Sequence, residues 1–105
     1  DVHLGPEQAV LAHQLVNGRV MIPVHWASFD LALHNWTEPV ERVLAAAELA
    51  KVDVHIMMPG ERYDIANPPG VTRWWPETPW KPVTEAPAWS SSVDNLLAQT
   101  PYKEP

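Results

Sequence analysis

The chain reads as an α/β protein: a helix, a strand, a second helix and a second strand, followed by an extended tail rich in proline and tryptophan. Three observations predict this. Apolar residues recur at helical spacing behind two Pro-Glu or Glu-Pro starts, at Pro6-Glu7 and Glu38-Pro39. Short apolar runs, Val20–Val24 and Val52–Met57, follow each helix. After Ala66 the pattern gives way to Asn67-Pro68-Pro69-Gly70, Trp74-Trp75-Pro76, Pro79-Trp80-Lys81-Pro82 and Pro87-Ala88-Trp89.

The first helix is expected from Pro6 to Val16. Proline suits a first turn, where its missing N–H costs nothing, and Glu7 complements the helix dipole. Ala9, Val10, His13 and Val16 share a face, and Asn17-Gly18 supplies the stop. Arg19–Val24 is a buried strand that tolerates Pro23 only near its end. Residues 26–36 lack a clean period and read as an apolar loop, with room for one helical turn at Phe29–Leu33. Thr37 is placed to cap the second helix. Its stripe of Val40, Val43, Leu44, Ala47 and Ala50 opposes a polar face of Glu41, Arg42, Glu48 and Lys51. Pro59-Gly60 marks a turn, with room for a third short strand at Glu61–Ile65.

Residues 1–65 thus form the domain and 66–105 the tail, with a short closing helix expected over 91–99. Four tryptophans in the tail are costly to leave in water, so the tail is expected to wrap over the domain or a neighbouring subunit. A flexible linker is the alternative.

Composition narrows the function. The net charge of −6, with seven scattered Lys and Arg residues, argues against nucleic-acid binding. No run reaches the roughly 20 apolar residues of a membrane span. Without cysteine there is no disulfide or thiolate site, so any metal must use His, Asp or Glu. Single glycines exclude phosphate-cradling loops. The abrupt Asp1-Val2-His3 opening, with no leader, suggests a fragment or processed product.

His25 is the first candidate site residue. A histidine at a strand end can be held rigidly as a metal ligand, or it can be a packed core residue. His3 precedes a helix N-terminus, where free N–H groups favour anions, and could bind phosphate or pass a proton; the plain reading is an exposed histidine. His13 reads as structural, and His34 and His55 have no motif around them. Ser28 lacks an adjacent base, and Glu61 is an outer-shell carboxylate or a solvated strand start.

Three segments in order carry a resemblance: His3-Leu4-Gly5-Pro6-Glu7-Gln8-Ala9-Val10 with His13, then Ile22-Pro23-Val24-His25-Trp26-Ala27-Ser28-Phe29, then Leu31-Ala32 with Glu38-Pro39. Over residues 1–62 the chain resembles the C-terminal part of metallo-β-lactamase-fold hydrolases, in the branch of N-acylphosphatidylethanolamine phospholipase D and its bacterial relatives. The resemblance implies an αββα sandwich holding two zinc ions. His25 falls where that family has a late metal ligand, within an Ile/Val-His-Trp-Gly-Thr-Phe segment; Ala27-Ser28 replaces Gly-Thr. His3 falls where a histidine lies near the substrate phosphate. The family's His-x-His-x-Asp-His motif is absent and would lie upstream of Asp1.

The expectation is therefore the C-terminal piece of a zinc-dependent hydrolase, phospholipase D-like, inactive alone. It would act on a phosphodiester or ester-like substrate, lipid included, from a cytoplasmic or membrane-peripheral location. Its partners would be that substrate and the missing N-terminal part of the domain, with a homo-oligomer formed through the tail also open. The rival is a non-catalytic interaction module whose Trp/Pro tail docks on a partner or second subunit. Tryptophan insertion at a membrane surface is the weaker third reading, because the tail lacks a basic face.

Overall fold

The computed structural model describes residues 4–28, 34–68 and 70–86. His3, the 29–33 turn and the 91–99 helix lie outside the described residues.

Two helices form where expected. α1 spans Pro6–Leu15 and α2 spans Glu38–Ala50. At the start of α1 the Gly5 N–H donates to Gln8 Oε1 at 2.6 Å, closing the first turn with the helix's own side chain. Its end is a Schellman stop: Asn17 takes the left-handed conformation (φ 53°), its N–H donates to the Gln14 carbonyl, and the Gly18 N–H donates to that of His13. Gly18 leaves room for the His13 ring. A Cβ there would lie 2.5 Å from the His13 ring, so His13 packs over the stop and is structural. The buried face of α1 is Gln8, Val10 and Leu11, while Val16, expected on that face, is 76% exposed.

α2 buries its apolar stripe as the spacing predicts. Val40, Val43 and Ala47 join Val10, Met21, Val54, Ile56 and Trp75 in one core. Lys51 ends the helix in the left-handed conformation, with the Val52 N–H donating to the Ala47 carbonyl.

The two expected strands reduce to a single parallel bridge between Met21 and Val54. The Met21 N–H donates to the Asp53 carbonyl, and the His55 N–H donates to the Met21 carbonyl. Pro23 removes the next donor, and a parallel pair without neighbours gains little from extension. Val20–Val24 is consequently no buried strand: Met21 is buried, but Val24 is 78% exposed. Residues 61–65 form no ladder, and among the described residues no named strand appears. Met58-Pro59-Gly60-Glu61 is the expected turn, with Gly60 at φ 85° and the Glu61 N–H donating to the Met58 carbonyl.

The largest departure concerns the polar face of α2. Arg42 is only 6% exposed, Glu38 8%, and Glu41 is mostly covered. They are covered by residues 71–86, which lie over α2 as a strap. Arg73 and the Trp75 indole N–H both bind Glu41 Oε1. Thr78 pairs with Thr37, and the Pro79 carbonyl accepts from Asn35. The Lys81 N–H donates to Glu38 Oε1, and the Ala86 carbonyl accepts from Arg42 Nη1. Thr37 therefore occupies the cap position without capping; its hydroxyl is spent on the strap. Pro76, Pro79 and Pro82 suit this course, because each removes a backbone donor that packing would otherwise orphan. Up to Ala86, then, the tail wraps the domain in cis.

Arg42 also reaches α1, gripping both oxygens of Glu7 at 2.7 and 3.0 Å. A fork of this geometry cannot be replaced by a point charge. Arg42→Ala is expected to cost about 3 kcal/mol or more, since it leaves Glu7 without its bidentate partner and the Ala86 carbonyl without its donor. Arg42→Lys should recover less than half of that in urea unfolding. Burial alone would raise the Glu41 pKa, but the hydrogen bonds from Arg73 and Trp75, with the charge of Arg73, hold it below its ordinary value. Unfolded glutamate takes its proton near pH 4.3, about where this contribution starts to fade; it is lost as pH falls through the lower folded value. Glu41→Gln should therefore flatten the stability loss that sets in as pH falls below about 5 in a denaturation series.

Candidate functional site

The chain leaves the Met21 bridge through Ile22 and Pro23 and turns sharply at His25. His25 and Ala27 both lie in the left-handed region, at φ 65° and 66°. Each such residue that is not glycine costs on the order of 1 kcal/mol, so two so close together persist only if packing fixes what lies between.

What lies between is Trp26. Its ring stands 5.3 Å from Trp74 at a 37° tilt and 5.5 Å from Trp75, edge to face, while Trp74 and Trp75 meet at 5.8 Å and 85°. Tilted and edge-to-face pairs suit the ring quadrupole and add about 0.5–1.5 kcal/mol each beyond burial. Trp75 is 6% exposed. The Trp74 indole N–H is buried with no partner among the described residues.

On the solvent side of this cluster lies an open groove of about 430 Å³, lined by Trp26, Ala27, Ser28, Trp36, Met57, Pro59 and Trp74. The volume falls within the range of small-ligand clefts. His25, exposed, adjoins the groove in sequence through Trp26. Ser28 is its hydroxyl.

The other histidines stand apart from it. His55, which has no motif around it, is buried, with Nε2 3.1 Å from Asp53 Oδ1 and its ring edge-to-face with Tyr63. His34 Nδ1 lies 2.8 Å from the Asn35 carbonyl. Glu61 accepts the Met58 N–H at 2.9 Å, which makes it a turn cap. Among the described residues no three His, Asp or Glu side chains gather as a metal site. Of the two residues singled out from the sequence, His25 is placed at the strained turn and His3 lies outside the described residues. Trp36, Met57, Pro59 and Trp74 line the groove without having been candidates in the sequence, and only the two tryptophans left a signal there. Their signal was present only as tryptophan's reluctance to stay in water.

Glycine at position 27 should relieve the left-handed cost while adding some unfolded-chain entropy. Ala27→Gly is expected to gain about 0.5–1 kcal/mol, whereas Ala27→Val should lose at least as much, read as opposite shifts in melting temperature.

No protein-family model matches the chain, and no solved structure matches it. It is similar to uncharacterized proteins of Mycobacterium bovis and of two Mycobacterium tuberculosis strains, CDC 1551 and H37Rv. Each is 47% identical over 78 residues, which cover 71% of this chain and 21% of the relative. The matched region thus spans about a fifth of the length of these curated relatives.

Proposed function

We propose that the chain supplies the C-terminal part of a zinc-dependent hydrolase of the metallo-β-lactamase fold, in its phospholipase D-like branch. The substrate class is a phosphodiester or ester-like compound, lipids included. His25 would give one metal donor, and His3 would meet the substrate's anionic group.

The observation that carries this reading is the backbone at Ala27. Its φ of 66° is a conformation that favours glycine, and glycine is what the resembled family has at that position. A turn built for Gly next to an exposed histidine fits a ligand-presenting loop better than a packed core residue. The single parallel bridge between Met21 and Val54, with α2 in the connection, falls short of the paired strands an αββα sandwich would need.

Among the described residues no group of three His, Asp or Glu side chains could hold a metal. Under this reading the other donors come from elsewhere in a longer chain, and relatives several times longer than the matched region support that. In a full-length protein, His25→Ala should keep the fold, because the side chain is exposed, while metal content falls and hydrolysis drops at least about 100-fold. Unchanged metal and unchanged turnover would sink the assignment.

The interaction-module reading keeps one observation in its favour. Trp80, at 36% exposure, is a strap indole still open to solvent. An intact mass close to that of this chain, with no bound metal, would favour the module; a longer metal-bearing species would favour the hydrolase.

A further inference from the structure

The strap does more than cover α2. Trp74 and Trp75, themselves in contact at 5.8 Å, both pack on Trp26, at 5.3 and 5.5 Å, and Trp26 is the one residue between two left-handed neighbours. Trp75 is itself fixed by its indole N–H to Glu41 Oε1 at 2.8 Å, and Glu41 is also bound by Arg73. A continuous path therefore runs from a carboxylate on α2, through a strap tryptophan, to the backbone that carries His25.

We infer that the strap tryptophans Trp74 and Trp75 are positioning residues for His25: by clamping Trp26 they hold the His25–Ala27 turn in its left-handed form.

The energies agree in scale. Two left-handed residues that are not glycine both carry a backbone cost. Two aromatic contacts and the burial of the Trp26 ring return an amount of the same order. Removing one contact should thus tip the turn toward relaxed backbone without unfolding the helices, whose core is built on Val10, Val40, Val43 and Ala47. Trp74 has a second part, because it also lines the groove next to this turn. The resemblance to hydrolases ends before the strap, at about residue 62, so this positioning role is assigned from the packing alone. It rests on the proposed function only in giving His25 a use.

The test reads the backbone directly. In the 105-residue chain, the carbon chemical shifts and amide–α-proton couplings of His25 and Ala27 report φ. Trp74→Ala, with Trp74 partly exposed, should move both residues out of left-handed values while the shifts of α1 and α2 stay in place. Glu41→Gln should move them in the same direction but less, since it loosens Trp75 without removing the ring. Trp75→Phe keeps an aromatic face in the core and guards against a variant that simply unfolds. If all three variants fold and residues 25 and 27 keep left-handed shifts, the positioning role is overturned. His25→Ala in the full-length protein addresses the hydrolase reading separately. A turn that relaxes in the Trp74 variant beside a metal content indifferent to His25 would uphold the clamp and reject the metal role.

Discussion

The rest of the structure depends on the guanidinium of Arg42. It is held at 6% exposure, grips Glu7 on α1 with two nitrogens, lies 3.8 Å from Glu38 within α2, and takes the strap's carbonyl at Ala86. One planar group thus joins both helices to the end of the strap. A buried charge is costly to bring out of water, and this one is tolerated because its donors meet a bidentate carboxylate, a second carboxylate and a carbonyl. Apolar packing gives the helix pair its energy. Arg42 decides where the helices and the strap meet.

Those parts of the fold governed by local rules were legible in the sequence. Pro6-Glu7 and Glu38-Pro39 start helices, Asn17-Gly18 stops one, and Pro59-Gly60 turns the chain. The stripe from Val40 to Ala47 faces the core. Where a distant segment intervenes, the same rules mislead. Arg42 and Glu41 sit on the face that periodicity assigns to water, and only the strap reverses that. Thr37 has the right identity for a cap, yet Thr78 claims its hydroxyl. The apolar run at Val20–Val24 lacks enough neighbours to become a strand, so Val24 faces out.

The candidate site divides along the same line. His25 is visible in the sequence as a histidine following an apolar run, and it does sit at a sharply defined turn. That the turn needs left-handed backbone on both sides of Trp26 has only a faint local signal: histidine is among the residues that tolerate it, but Ala27 is not. The clamp that makes it tolerable arrives from Trp74 and Trp75, nearly fifty residues later. Motif reading finds the histidine, but the packing that shapes its loop is written in a proline-rich stretch with no motif at all.

The strap's ties have a consequence for the order of folding. Its hydrogen bonds to α2 and the preceding loop connect residues 32 to 44 positions apart. Each needs a helix end already in place, because the acceptors at Glu38 and Glu41 are aligned only once α2 exists. Closing loops of that length costs chain entropy before any contact repays it. On sequence separation alone, the helix pair is expected to form before the strap docks. The loop that presents His25 has its shape tied to a segment that docks from nearly fifty residues away, so the geometry of the His25 loop is set by a long-range contact rather than by its own sequence.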